Sequence, residues 1–124
     1  MVILTDQEKA RIIVDEVCKT LEVSKSDLYK VCRKRELVEA RYTIFYFLKR
    51  KTRMSITAIA LMFRQNHATA LHGVGLINDM VQYNGYSKVV NPIDSKIEGR
   101  FMSNISSLEW VNSTATNITN YETA

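Results

Sequence analysis

The chain has 124 residues, 46% of them hydrophobic, and a formal net charge of +4. That is enough apolar material for one small domain with a modest core. No apolar run approaches bilayer-spanning length, and no charged segment followed by an apolar stretch marks a secretory leader. These features predict a cytoplasmic protein with no membrane contact.

The two cysteines, Cys18 and Cys32, form neither a disulfide framework nor a zinc-ligand spacing. Cys18 falls among Val14, Val17 and Leu21 and reads as a small core residue. No chemistry is assigned to Cys32, and neither a metal nor another cofactor is expected.

Thr5-Asp6-Gln7-Glu8 fits a capping box, with Thr5 as the cap and Glu8 reaching back. A first helix should follow to about Leu21, burying Ala10, Ile13, Val14, Val17, Cys18 and Leu21. Ser24-Lys25-Ser26-Asp27 repeats the Ser-x-x-acid signature and should open a short second helix carrying Leu28, Tyr29 and Val31. Arg33-Lys34-Arg35 interrupts the apolar pattern and is expected to form a basic loop.

The third helix should run from about Leu37 to Lys51, with Leu37, Ala40, Ile44, Phe47 and Leu48 on one side. Tyr42, Phe45, Tyr46 and Phe47 form an aromatic cluster. Beside basic residues such rings could stack on single-stranded bases, but at helical spacing the core reading is preferred. From Lys25 to Arg53, ten basic residues face only Asp27, Glu36 and Glu39, a net +7. Two readings stand for this window: a solvated helical face, or a positive field that attracts a polyanion.

Ser55 should cap a fourth helix, in which Ile56, Ile59, Ala60 and Phe63 recur at i, i+3, i+4 and i+7. Arg64 and Gln65 leave little room for a connection before Asn66, a good cap for a fifth helix to about Gln82. Two short helices with a tight link, the second opening on a polar turn, describe a helix-turn-helix. In that motif the first turns of the second helix reach base edges in a major groove. His67, Ala68 and Thr69 occupy that first turn, and His72 lies on the next. Imidazole and amide groups donate or accept on base edges, and a Thr methyl packs on thymine. Ala70, Val74, Ile77 and Val81 give the same helix a buried face.

Gly73 and Gly75 inside the fifth helix each cost roughly 1 kcal/mol relative to alanine. That cost points to close backbone approach, to another helix or to a phosphate. Gly85 is available for a left-handed conformation where the helix ends. Pro92-Ile93-Asp94 should open a last helix to about Ser106, with Ile93, Ile97, Phe101 and Ile105 on one face. The fold expected is all-α, a compact bundle of five or six helices spanning residues 1–108. A polar tail, 109–124, is expected to lack fixed structure, with Trp110 either a docking anchor or simply exposed.

Phe63-Arg64-Gln65-Asn66-His67-Ala68-Thr69-Ala70-Leu71-His72-Gly73 resembles a signature of the C-terminal DNA-binding domain of the bacterial replication initiator DnaA. In that signature Phe and Gly precede Arg-Asp-His-Thr/Ser-Thr-Val-Leu-His-Ala. The resemblance runs from about Ile12 to Val81. It implies a helix-turn-helix, from Ser55 to Gln82, that reads a short asymmetric duplex site. By position, Gln65, Asn66, His67, Ala68 and Thr69 match the family's major-groove readers, and Arg33 matches an arginine that enters the adjacent minor groove. Arg35, Arg41 and Lys49 would serve phosphates, fixing position without reading sequence. Lys34 in the basic loop, Ser55 at the head of the fourth helix and His72 complete the expected contacts.

Among the signature positions that differ, the usual Arg is Gln65, the usual Asp is Asn66, and the first hydroxyl residue is Ala68. The turn lacks the family's glycine and reads as one residue shorter. A carboxylate only accepts hydrogen bonds, whereas an Asn amide also donates, so the target should differ from the initiator's usual site.

The chain carries nothing like G-x-x-x-x-G-K-S/T, and its four glycines are 73, 75, 85 and 99. The expectation is a free-standing, non-enzymatic binder of double-stranded DNA, of the kind a phage or mobile element encodes. It would act in replication initiation or its control without ATPase activity. A rival reading is a protein-interaction module that docks an acidic replication or transcription protein through its basic face or tail. An enzyme is the weakest reading, since His67 and His72 are poorly spaced for ligation and have no partner carboxylate near in sequence.

Overall fold

A computed structural model describes residues 4–30, 34–115 and 117–120, with side chains described up to residue 103. The fold is all-α, with six helices among the described residues. They are α1 (Asp6–Leu21), α2 (Lys25–Leu28), α3 (Arg35–Lys51), α4 (Ile56–Met62), α5 (His67–Tyr83) and α6 (Ser87–Ser113). Two short strands, Thr114–Ala115 and Asn117–Asn120, pair antiparallel after α6. No described helix is long and apolar enough to cross a membrane.

The bundle is arranged around α3, which packs against α1, α2, α4 and α5. From Thr43 to Leu48 every residue of α3 is buried, as expected of a helix covered on all sides. Tyr46 and the cluster rings Phe45 and Phe47 are all part of this core.

At α1 the capping box forms as the sequence implies. The Glu8 backbone N–H donates to Thr5 Oγ1 at 3.1 Å, and the Thr5 backbone N–H donates to Glu8 Oε1 at 2.9 Å. Ala10, Ile13, Val14, Val17 and Cys18 are buried, with Ile12 added, while Leu21 packs at the edge.

One cap and two element starts differ from the sequence reading. Ser24 makes no capping bond at α2; its hydroxyl pairs with the Ser26 hydroxyl at 2.9 Å, and α2 is a single turn. Helix α3 begins at Arg35, because the Lys34 carbonyl accepts from the backbone N–H groups of Leu37 and Val38. Arg35 therefore belongs to the helix rather than to the basic loop. Helix α6 begins at Ser87, with Pro92 inside it. Burial draws the start back: Tyr86, Val90, Ile93, Ile97 and Phe101 are all buried at helical spacing. The Tyr86 hydroxyl also bonds Thr43 Oγ1 at 3.0 Å. Those contacts outweigh the one backbone bond that Pro92 forgoes. Ile105 and Trp110 fall among side chains outside the described set.

Candidate nucleic-acid interface

The connection between α4 and α5 is a closed helix cap. The Arg64 N–H donates to Leu61 O at 3.2 Å and the Gln65 N–H to Ala60 O at 2.9 Å. This pair of bonds is the Schellman arrangement, which places the residue after the cap in the left-handed region, where glycine is usual. Here that residue is Arg64, with φ +56°. The turn thus fits Arg64 into the place of the glycine missing from the signature.

Asn66 then caps α5, its Oδ1 accepting from the Thr69 N–H at 2.8 Å. The oxygen is committed to the helix, and the amide N–H groups of Asn66 are left facing an exposed position. At the head of α4, Ser55 Oγ accepts from the Ala58 N–H at 3.1 Å.

Asn66, His67, Ala68, Leu71, His72 and Gly75 are exposed along α5, while Ala70, Gly73 and Ile77 are buried on its other side. Thr69 is half-buried. Gln65 is half-buried too, its Nε2 donating back to Phe63 O at 3.3 Å. Leu71 is 53% exposed on this polar surface. The sequence reading passed over it, although it lies at i+4 from His67.

The helix is held by rings. Tyr29 stacks on Phe63 at 5.0 Å between centroids, and Phe63 meets Phe45 edge-on at 5.7 Å. Phe45 lies beside Tyr42 at 6.3 Å, and Tyr42 meets His72 edge-on at 5.9 Å. The same Tyr42 ring explains Gly73. A Cβ there would lie 2.6 Å from the ring, closer than real contacts allow. Of the two readings of that glycine, close approach to a neighbouring helix is the one realised. Gly75 has open space around it.

The basic window divides into distinct groups. Lys25 bonds Asp15 at 2.9 Å and Lys30 bonds Asp27 at 3.0 Å. Lys51 bonds Asp94 at 2.5 Å and also pairs with Glu98. Burial alone would lower the Lys51 pKa, but these two carboxylates outweigh it and the pKa rises. Arg41 is 5% exposed, and its Nη1 donates to Leu28 O at 3.2 Å. Its guanidinium supports the end of α2 rather than facing solvent. Arg33 lies outside the described residues.

Lys34, Arg35, Lys49, Arg50 and Arg53 remain exposed. The Arg50 guanidinium rests 5.2 Å over the Tyr46 ring. Arg35 and Glu39 line, with Tyr42, Leu76 and Met80, a cleft of about 280 Å³ between α3 and α5. No Asp or Glu occurs anywhere from residue 40 to residue 78, a stretch that carries six basic residues. The motif's own stretch therefore supplies no carboxylate before Asp79, late in α5. Among the described residues no group of three or more His, Cys, Asp or Glu could hold a metal ion.

Residues 10–77 match the family described as the bacterial DnaA protein helix-turn-helix. The chain is 36% identical over 74 residues to the chromosomal replication initiator protein DnaA of Desulfatibacillum aliphaticivorans, covering 60% of this chain and 16% of that protein. It is 35% identical over 65 residues to the protein of the same name from Oleidesulfovibrio alaskensis, covering 52% and 14%. Against that of Bacteroides fragilis it is 29% identical over 94 residues, covering 74% and 20%. The chain thus spans no more than about a fifth of the length of these relatives.

Proposed function

Because the chain belongs to the bacterial DnaA helix-turn-helix family, we propose that it binds double-stranded DNA sequence-specifically, in replication initiation or its control. The observation that carries this reading is the exposed polar face at the start of α5. It stands on an aromatic frame centred on the buried Phe45 and Phe63, beside a stretch of chain without carboxylates. In this reading α5 enters the major groove, and His67, Ala68, Thr69 and His72 meet base edges. Ala68 keeps the approach short.

Asn66 has a divided role. Its oxygen caps the helix, so its amide is left to donate, and the matching base edge is an acceptor such as a purine N7 or thymine O4. An aspartate in the same pose could only accept. Gln65, folded back on the turn, contributes less to readout than its position in the signature implies. Lys34, Arg35 and Lys49 face phosphates, and Arg33 is assigned to the minor groove by its match to the family. Arg41 acts from beneath, holding α2 against α3. These 124 residues contain no phosphate-binding glycine loop, so binding is proposed to proceed without ATP hydrolysis.

The test is selection from a random duplex pool, followed by affinity measured against salt. An enriched asymmetric motif with a steep negative salt slope is expected. Weak, salt-sensitive binding with no enriched motif would remove the sequence-specific claim.

A further inference from the structure

Arg64 stands in a conformation that L side chains other than Asn and Asp rarely adopt. The turn does not require a side chain there. Both closing bonds of the cap are backbone bonds, from the N–H groups of Arg64 and Gln65 to carbonyls of α4, and glycine would make them with less strain. The Arg64 side chain is exposed, and it makes no ion pair among the described residues. An arginine at this place therefore works against the stability of its own turn without a compensating ion pair or side-chain hydrogen bond among the described residues. Backbone strain of this kind is a reason to look outward for what the residue meets.

What it would meet follows from its position. Arg64 lies just before the Asn66 cap, at the end of α5 where unpaired N–H groups give a partial positive charge. In a helix-turn-helix the first helix crosses the duplex backbone and the second enters the groove. A residue in the link flanks the groove and does not lie in it. An exposed guanidinium there suits the two oxygens of a phosphate, which its planar fork binds bidentately.

Resting on the DNA-binding reading above, we infer that Arg64 is a backbone-phosphate clamp. It anchors the turn to the strand beside the α5 groove and contributes affinity without sequence discrimination.

Glu22 supplies an internal control. It also takes a left-handed conformation, with φ +57°, at the end of α1, and it carries the opposite charge. Arg64→Gly and Glu22→Gly relieve the same kind of strain, so both should raise the Tm by a few degrees. Only Arg64→Gly should weaken binding. The experiment titrates wild type and the variants Arg64→Gly, Arg64→Lys and Glu22→Gly with two labelled duplexes. One carries the selected motif and the other has a scrambled sequence, and each is measured at several salt concentrations.

For Arg64→Gly the expected result is about a tenfold loss on both duplexes. The slope of log affinity against log salt should become shallower by about 0.9. Arg64→Lys should restore the slope but only part of the affinity, since the bidentate geometry is lost. Glu22→Gly should leave both unchanged. An Arg64→Gly slope parallel to that of wild type would overturn the proposal. So would a loss confined to the selected duplex, which would make Arg64 a base reader. If wild type shows no salt-dependent binding to either duplex, the DNA-binding reading itself fails.

Discussion

On the flank formed by α1 and α6 a network of ion pairs ties helices together. On the flank formed by α4 and α5 no ion pair occurs among the described residues. Asp15 receives Lys19, Lys25 and Arg100, and Glu16, 6% exposed, receives Arg100 at 2.8 Å. Lys51 ties α3 to Asp94 and Glu98 of α6. The sequence from residue 40 to residue 78 carries no carboxylate, and rings and caps hold the α4–α5 turn instead. Basic residues therefore do two jobs. On one flank they join helices, and on the other they remain outward. Net charge along the sequence registers the sum and not this division.

The sharpest way to test that contrast is to remove a ring from the α4–α5 flank. Phe63→Ala should cost about 3–5 kcal/mol in urea denaturation, because Phe63 is fully buried between Tyr29 and Phe45. A cost below that of the ion-pair variant below would reverse the comparison. Next comes Gly73→Ala, which drives a methyl against the Tyr42 ring and should cost about 1–3 kcal/mol. Adding Tyr42→Leu should recover part of the loss. Simple addition of the two costs would mean that the helix approach is not what Gly73 protects.

On the charged flank, Arg100→Met leaves Glu16 buried with only a distant lysine, 4.0 Å away. Arg100 is partly exposed, so the cost should be about 1–2 kcal/mol, between the values for surface and buried pairs. Acid should reveal the same network. The Asp15 carboxyl is held well below the usual carboxylate range, first by the bond from Lys25 and then by those from Arg100 and Lys19. A folded pKa below the unfolded one stabilises fully above about pH 4 and is lost as the pH falls through the folded value. Wild type should therefore lose stability on acidification below about pH 4. Asp15→Asn should show a shallower decline, and parallel acid limbs would remove Asp15 from the account.

The smallest effect on stability belongs to Asn66→Asp. It keeps the cap oxygen and favours the positive end of α5, so stability should stay within about 0.5 kcal/mol. The selected base opposite the side chain should nevertheless change from an acceptor to a donor. An unchanged motif would show that Asn66 is a cap and nothing more.

Local signals were legible where they compete with nothing. The capping box of α1, the Ser55 and Asn66 caps, the left-handed Gly85 and the buried aromatic cluster were all readable from short windows. What could not be read depended on partners distant in the chain. The start of α6 is set by Tyr86 reaching Thr43, and Pro92 gives the opposite hint. Arg41 looks in sequence like its exposed neighbours, but its carbonyl partner is in α2. Lys51 is claimed by carboxylates more than forty residues away. In the site, the face of α5 followed from periodicity, whereas the inward turn of Gln65 and the left-handed Arg64 follow from how the turn closes.

The chain of rings from Tyr29 to His72 has a thermodynamic consequence. Both helices of the motif are fastened to α3, the turn through Phe63 and α5 through Tyr42. The freedom of one helix relative to the other is lost when the domain folds, not each time it meets a ligand. The entropy of association then reflects released counterions and water, with little left for ordering the protein. The heat-capacity change should accordingly scale with the contact surface alone, without the excess that accompanies folding on binding.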